Sequence, residues 1–515
     1  MTLPIPDNLK GLPEITADEI RKMTGEGESV RFEGKVVQGD ALEALHGAFF
    51  KGVPVHVEGS LIDGNLDFTK GPTVPLEEAE GIGSKINRDL LKALGVRGVV
   101  VVAAPISFGN GTYIKGSVQA TAADFSGSFS IWDSTIAEWA EFNTARFNSR
   151  TSFTKVTFSR AASFLGATFG HGVFFQGTRF GDRVVFAGAI FGNEADFWCA
   201  TFGDGANFRD ATFGHRASFQ EARFGDRASF VRAIFGNGAN FLDSTFGSEA
   251  HFGGATFGES AEFNNITLGD GASFEGATFK GPVVFRRLKE RVGRSDSPVF
   301  EGGVDFQNVR MDQPRVVIFQ RVDLSKASFL NTRLDKVRFI DVKWAERDKR
   351  RSLFDEEFVK ENKNYELVAQ LYRQLKKNYE ELRDYPGAGD FHYGEMEMTL
   401  KMHQEKKEWF SWLLTRAYKF LSGYGEKAER AIVIALAILL VPALCYDLGS
   451  MTLNHPTKFL RDFTDYLLQS LGYMTFRIYE TPIKWWWKIL MVAQAILGPI
   501  QLALTALALR RKFRR

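Results

Sequence analysis

The densest grouping of chemically capable side chains in this sequence is Asp390, His392, Glu395 and Glu397. On a helix His392 and Glu395 stand one turn apart, a spacing that suits an acid–base pair or half of a metal site. A complete metal site needs more ligands, and no second His pair supplies them. The cluster therefore reads as a polar packing network at a helix junction. His171, His215 and His251 recur at positions where related segments carry Asp, Asn or Ser, which makes them exposed belt residues rather than ligands. Cys199 and Cys445 lie far apart in unlike segments, so a disulfide framework and a Cys-rich metal site are excluded and a reducing compartment is expected. No phosphate-binding loop, dinucleotide fingerprint, nucleophile elbow or zinc spacing is present. The expectation is a protein that is not an enzyme, with no catalytic residue, metal or cofactor. One more stretch has chemical potential: Ser470-Leu471-Gly472-Tyr473-Met474-Thr475-Phe476, a Gly-Tyr loop between two apolar runs.

The elements that would position these residues begin with a repeat. The chain holds 48 Phe and 50 Gly in 515 residues, an excess that points to repetition. From Phe142 to Phe285 a large apolar residue returns at alternating steps of five and six, and Ile131 and Ile136 extend the register backwards. Two residues before most of them stands a small one, as at Ala195, Ala200, Ala206, Ala211, Ala217 and Ala222. A Gly and a polar residue follow every second Phe, as in Gly203-Asp204 and Gly225-Asp226. A Gly in each unit opposes a helix, and the apolar step is wrong for an alternating strand. What fits is a chain that turns a corner at every such step and stacks large side chains coil upon coil. The Gly-polar pair is expected to absorb the extra residue at a corner where φ is positive. Further on, Phe319, Leu324, Phe329, Leu334, Phe339 and Trp344 keep a pure step of five.

This pattern resembles the pentapeptide-repeat family. The resemblance implies a mainly-β fold, a right-handed quadrilateral β-helix with four pentapeptides per coil; the alternation of five and six departs from that all-five pattern and implies longer coils with bulged corners. The expected organisation is an irregular N-terminal cap with degenerate coils at 1–104 and the β-helix at 105–344. Leu61 to Phe68 and Ile106-Ser107-Phe108 are the degenerate coils, and Asn87 to Leu94 reads as a short helical insertion. Some members of that family mimic duplex DNA, which requires an acidic surface. Residues 131–285 carry 16 acids and 12 bases, and Arg216, Arg223, Arg227 and Arg232 interrupt any acidic stripe. With 64 basic and 62 acidic residues overall, the chain has no general attraction to nucleic acid, and a spacer or docking surface for a protein partner is expected.

A cytoplasmic helical connector is expected at 345–425. Leu367, Leu371, Leu375 and Tyr379 mark an amphipathic helix from Tyr365 to Arg383. A break at Asp384 to Gly387 precedes a second helix from Ala388 to about Lys407, a pair similar to one tetratricopeptide-like unit. The stretches Tyr372 to Tyr379 and Gly389 to Met398 resemble the connector of bacterial proteins that join pentapeptide repeats to a C-terminal channel-like membrane segment. Trp409 to Leu421 suits an interfacial helix.

Residues 426–515 are expected to form a two-helix transmembrane hairpin with a re-entrant helix. Ala431 to Tyr446 and Ile489 to Leu509 are free of charge. Arg416, Lys419, Lys427 and Arg430 precede the first, and Arg510, Arg511, Lys512, Arg514 and Arg515 follow the second. Both flanks read as cytoplasmic, with no N-terminal signal peptide, placing the chain in the inner membrane as a multi-pass protein with both termini inside. Trp485, Trp486 and Trp487 are expected at the far interface, with Arg510 and Arg511 as anchors at the near one. Phe459 to Leu471 is a helix too short to cross, followed by extended backbone.

That order resembles the two-transmembrane pore-loop module of potassium-type channels, which implies a filter-like loop of Ser470, Gly472, Tyr473, Met474 and Thr475. A potassium filter needs Thr-Val-Gly-Tyr-Gly, and this loop lacks the Thr-Val and the second Gly. The leading expectation is a cytoplasmic scaffold coupled to a homo-oligomeric, channel-like pore in the lipid bilayer, because one hairpin cannot enclose a hole. The alternative is a membrane-anchored scaffold that does not conduct.

Overall fold

The computed structural model describes residues 4–75, 90, 92–288, 299–450, 459–475 and 485–514. It divides into two compact units, Met1–Ala345 and Glu346–Arg515.

The first unit is a β-solenoid. Short strands pair in parallel with the strand one full coil away, as in Thr157↔Arg179, Thr201↔Arg223 and Thr245↔Thr267. Each of these pairings spans two fives and two sixes, the sum of four sides. The two largest sheets contain 11 and 10 strands. Stacking at this repeat puts like residues over like, and the Phe rings form columns. Phe164, Phe186, Phe208 and Phe230 follow one another at centroid spacings of 4.7–4.8 Å with planes within 7°. Phe180, Phe202, Phe224 and Phe246 form another column at 4.4–5.0 Å. Rings of neighbouring columns meet edge to face, as at Phe208 and Phe219, so the interior satisfies both preferred aromatic geometries. The small residues two places earlier are equally enclosed: Ala195, Ala200, Ala206, Ala211, Ala217 and Ala222 have no exposed surface. Near the end of the unit the coil shortens. Ile318 pairs with Arg338 and Phe319 with Phe339, the consequence of a step of five on all four sides, and Trp344 packs 5.1 Å from Phe339.

Coils within residues 1–104 join the solenoid sheets: Leu61–Ile62 pairs with Tyr113–Ile114, and Val30–Glu33 pairs with Val55–Glu58, which pairs with Ile106–Gly109. Helix α1 (Ala17–Gly25) carries a Thr16/Glu19 capping box, and helix α2 (Gly39–Phe50) puts Phe49 4.7 Å from Phe68 and 6.3 Å from Phe108. The start of the Phe stack is thus covered by a helix side chain. Of the expected helical insertion at Asn87 to Leu94, residues 87–89 and 91 lie outside the described residues, and Leu90, Lys92 and Ala93 are helical.

One expectation is corrected, and it concerns glycine. Positive φ falls on the residue after the Gly-polar pair, at Arg183 (58°), Glu194 (62°), Arg216 (59°) and Arg227 (58°). The Gly after Phe is needed for room instead. A Cβ on Gly225 would lie 2.3 Å from Asp204 Oδ1 and 2.9 Å from both Asp204 N and the carbonyl carbon of Gly203 in the preceding coil. The polar partner of the pair stitches coils together: Asp226 N–H donates to Asp204 Oδ1 at 2.9 Å, and Asp204 N–H to Asp182 Oδ1 at 3.0 Å. On a second column His171 and His215 do the same work, with Nδ1 accepting from Asn193 N–H and Asn237 N–H. Their recurrence beside Asn and Asp follows from this shared role as acceptors.

In the second unit, helices α3 (Asp355–Asn362), α4 (Tyr365–Glu381), α5 (Tyr385–Glu405) and α6 (Trp409–Ser422) precede α7 (Ala428–Ser450), α8 (Phe459–Met474) and α9 (Trp485–Arg514). Helix α4 buries Leu371, Leu375 and Tyr379 against α5. Helix α5 starts at Tyr385 rather than Ala388. Asp384 caps it through Gly387 N–H at 3.0 Å, and Pro386 sits in the first turn, where its missing N–H costs no bond. A Cβ on Gly394 would meet the Tyr372 ring at 2.5 Å, so the glycine sets how closely α4 and α5 approach.

Candidate functional site: the polar core of the C-terminal hairpin

Two helices are long and apolar enough to cross a membrane, over Ala428–Cys445 and Ile489–Phe513. Only 22% and 17% of these windows is buried, whereas the core helix of a soluble protein is mostly buried. Val433, Val441, Ile489, Val492 and Ile496 all stand outward and more than half exposed. Helix α8 between them has 16 residues, about 24 Å of rise, against a hydrocarbon core of about 30 Å.

The Gly-Tyr segment is not extended. Helix α8 continues through Ser470, Gly472, Tyr473 and Met474, and Thr475 N–H donates to the carbonyls of Leu471 (3.1 Å) and Gly472 (3.0 Å). Continuing the helix satisfies backbone groups that an extended segment would leave without partners in an apolar setting. Ser470, Gly472, Tyr473 and Met474 are buried, and Thr475 is exposed. Phe476 lies outside the described residues. Met474 packs where α9 is thinnest, since a Cβ on Gly498 would come within 2.8 Å of Met474 Cα.

What holds α7, α8 and α9 together is a set of amide and hydroxyl contacts to backbone carbonyls. Pro442, inside α7, has no N–H, so the carbonyl of Ile438 one turn earlier loses its helical donor. Gln494 Nε2 donates to that carbonyl at 3.1 Å and to Ser470 O at 3.2 Å, and it contacts Ser470 Oγ. Ser470 Oγ donates in turn to Leu439 O at 2.6 Å. Two turns along α9, Gln501 Nε2 donates to Leu421 O (3.1 Å) and Ala431 O (2.8 Å). Both glutamines are almost fully enclosed, and among the described residues the Oε1 atom of each has no donor. Sequence reading passed over Gln494 and Gln501. The available signal was two amides within the uncharged run from Ile489 to Leu509, where a polar group needs a partner.

The basic residues after α9 have separate roles. Arg511 Nη1 pairs with Glu426 Oε1 at 2.6 Å and donates to Tyr424 O at 3.1 Å, locking the turn between α6 and α7. Arg510 is exposed. Trp485, Trp486 and Trp487 open α9, and their side chains lie outside the described residues. Helix α6 exposes Trp409, Phe410, Leu413, Leu414 and Phe420, and Arg416 lies 4.9 Å over the Trp412 ring.

The His392–Glu395 pair belongs to the α4–α5 contact. Glu395 is held by Arg373 Nε and Lys376 Nζ at 2.8 Å each, with His392 Nδ1 at 3.7 Å. Burial pushes this carboxyl up, but His392, Lys376 and Arg373 outweigh it and hold its pKa at about 2. A second knot joins Arg350 Nη2 and Tyr372 Oη to Glu356 at 2.8 and 2.6 Å. Among the described residues no grouping of three His, Cys, Asp or Glu could hold a metal ion.

Compared with known families, residues 153–199, 175–223, 200–245 and 219–267 match the model described as Pentapeptide repeats (9 copies). No curated protein and no solved structure matches the chain. The solenoid is therefore a pentapeptide-repeat β-solenoid, and the matched residues end before the helical unit begins.

Proposed function

We propose that the protein is a membrane-anchored scaffold whose pentapeptide-repeat solenoid is presented to a protein partner on the cytoplasmic face of the inner membrane. The observation that carries the reading is the use of Ser470, Gly472, Tyr473 and Met474 inside one protomer. Their backbone is helical and their surface is covered by the neighbouring helices, as suits an anchor. The exposed apolar face of α6, next to the first span, suits a helix resting on the lipid surface. The reading includes no catalytic step.

A homo-oligomeric pore is the second reading, favoured by the short amphipathic α8 between two spans. Purified full-length protein in planar bilayers separates the two. The scaffold reading expects no unitary current. A cation current that changes in Gly472→Ala or Thr475→Ala overturns it in favour of the pore. Protease protection in inverted membrane vesicles tests the orientation, with the solenoid expected to be digested from outside.

A further inference from the structure

Within the helical unit a pocket of about 310 Å³ is lined by Lys376 and Glu380 of α4, Tyr385 and His392 of α5, Glu426, and Arg511 of α9. Glu426 stands two residues before the apolar window Ala428–Cys445, and Arg511 two residues before the end of the window Ile489–Phe513. When these helices span a bilayer, their ends put the pocket at the depth of lipid headgroups rather than of acyl chains. Its walls carry two bases and two acids beside one histidine, so neither sign of charge prevails. Lys376 Nζ is held by Glu395 Oε2 at 2.8 Å, and Arg511 Nη1 serves Glu426 Oε1 and Tyr424 O. Two charged groups from different helices keep free capacity. The exposed carboxylate of Glu380, and Nε and Nη2 of Arg511, have no partner among the described residues.

We propose that this pocket takes a zwitterionic phosphoethanolamine headgroup, supplied by a phosphatidylethanolamine of the adjoining leaflet. Its phosphate lies on the free edge of Arg511 and its ammonium on Glu380. An anion alone would set its charge beside Glu380 and Glu426, and a cation alone beside Lys376 and Arg511. A ligand with both charges meets the two free groups at once. The Nε–Nη2 edge of a guanidinium offers parallel N–H groups that suit two phosphate oxygens. A primary ammonium donates to a carboxylate, whereas the quaternary ammonium of a choline headgroup has no N–H to give. A glycerol headgroup brings no positive charge to Glu380. The pocket is at the small end of the range for ligand sites, which suits a headgroup whose acyl chains stay outside among the apolar helices.

The inference rests on the membrane anchoring in the proposed function, and not on whether the chain scaffolds or conducts. The test uses the full chain, stripped of lipid in detergent. Native mass spectrometry follows its binding of phosphatidylethanolamine, phosphatidylcholine and phosphatidylglycerol with the same acyl chains, supplied in equal amounts. Expected is one phosphatidylethanolamine retained per chain, preferred about ten-fold over either of the others. Glu380→Gln removes a carboxylate without fold contacts, so it should abolish the preference over phosphatidylcholine while retention through the phosphate persists. Arg511→Lys keeps a charge for Glu426 but loses the guanidinium edge, and should weaken retention of all three lipids. Equal retention of the three by the unmodified protein overturns the proposal, and so does a preference that survives in Glu380→Gln. Calorimetry with water-soluble glycerophosphoethanolamine separates lipid from free zwitterion. It should bind about ten-fold more weakly than the lipid, and binding as tight as the lipid's overturns the lipid as source. If the anchoring reading fails, protease protection shows it, while the calorimetric signal still reports on the pocket; absence of binding by both lipid and soluble headgroup overturns the pocket itself.

Discussion

Gly205 and Gly225 stand at the same corner of successive coils, two positions apart in phase, and replacing each with Ala separates the two uses of glycine in this fold. Gly205 has φ of +70°, and an added Cβ meets only Arg183 Cγ at 3.5 Å. Its replacement costs left-handed strain of about 1–2 kcal/mol, offset by about 0.5–1 kcal/mol from the stiffer unfolded chain, for a net near 1 kcal/mol. Gly225 has no such φ, but its Cβ would stand 2.3 Å from Asp204 Oδ1 and 2.9 Å from backbone of the preceding coil. Overpacking against atoms that cannot yield costs about 1–3 kcal/mol. Displacing the Asp204 carboxylate also breaks its 2.9 Å bond from Asp226 N–H, worth about 0.5–1.5 kcal/mol. The expected total for Gly225→Ala is about 3 kcal/mol. Because each coil contacts only its neighbours, the damage should be local, so hydrogen exchange with mass spectrometry on the full chain is the suitable assay. Peptides from residues 200–230 should lose far more protection in Gly225→Ala than in Gly205→Ala, with the first coils unchanged. Equal losses, or a larger loss in Gly205→Ala, would refute the assignment of these glycines to spacing and to φ respectively.

Phe208→Ala should cost about 3–5 kcal/mol by opening a cavity between Phe186 and Phe230. Phe208→Leu should cost much less, since Leu268 already stands in the column of Phe246; denaturant midpoints with an unchanged slope check both. Glu395 has a folded pKa of about 2, below its ordinary 4.5, so its contribution is fully present above 4.5 and lost as pH falls from 4.5 to 2. The loss amounts to about 3 kcal/mol, and Glu395→Gln should flatten the acid limb of helical-unit stability measured by circular dichroism. His215→Asn should leave the solenoid as stable as before, because Asn193 already accepts the equivalent N–H one coil earlier, and thermal melts of the two proteins should superimpose.

The solenoid was legible because its period is a direct image of its geometry. A coil of four sides, each with one inward ring, must repeat its large residues at five and six, a spacing that neither a helix nor an alternating strand produces. The reason for each glycine was not legible, since a residue without Cβ looks the same whether it serves a dihedral or a close approach. Leu61 to Phe68 and Ile106 to Phe108 were legible as coils, whereas Val55–Glu58 was not, because an insertion separates it in sequence from its partner Ile106–Gly109. The start of α5 was misplaced by treating Pro386 as a breaker when Asp384 makes it a first-turn residue. At the hairpin, the loop drew attention by likeness to a filter, while the contacts run through Gln494, Gln501 and the carbonyl that Pro442 releases.

The surface charge of the solenoid follows from the same coil register. Glu138 pairs with Arg160, Glu194 with Arg216, and Asp210 with Arg232, each acid one coil before its base. Exposed pairs of this kind add little stability. They do fix which coil follows which, because sliding the stack by one side would place unlike corners together. They also cancel charge locally along the stack. Because ring columns, ladder bonds and glycine spacing maintain the fold from within, outward positions such as Arg183, Arg227 and Glu249 are released from that task. For the proposed partner these corner residues offer a pattern along the axis rather than a net charge. Reversing Glu194 and Arg216 together would keep their pairing and leave the fold intact. Loss of a bound partner in that double variant would locate recognition in the pattern, whereas unaltered binding would place it elsewhere on the surface.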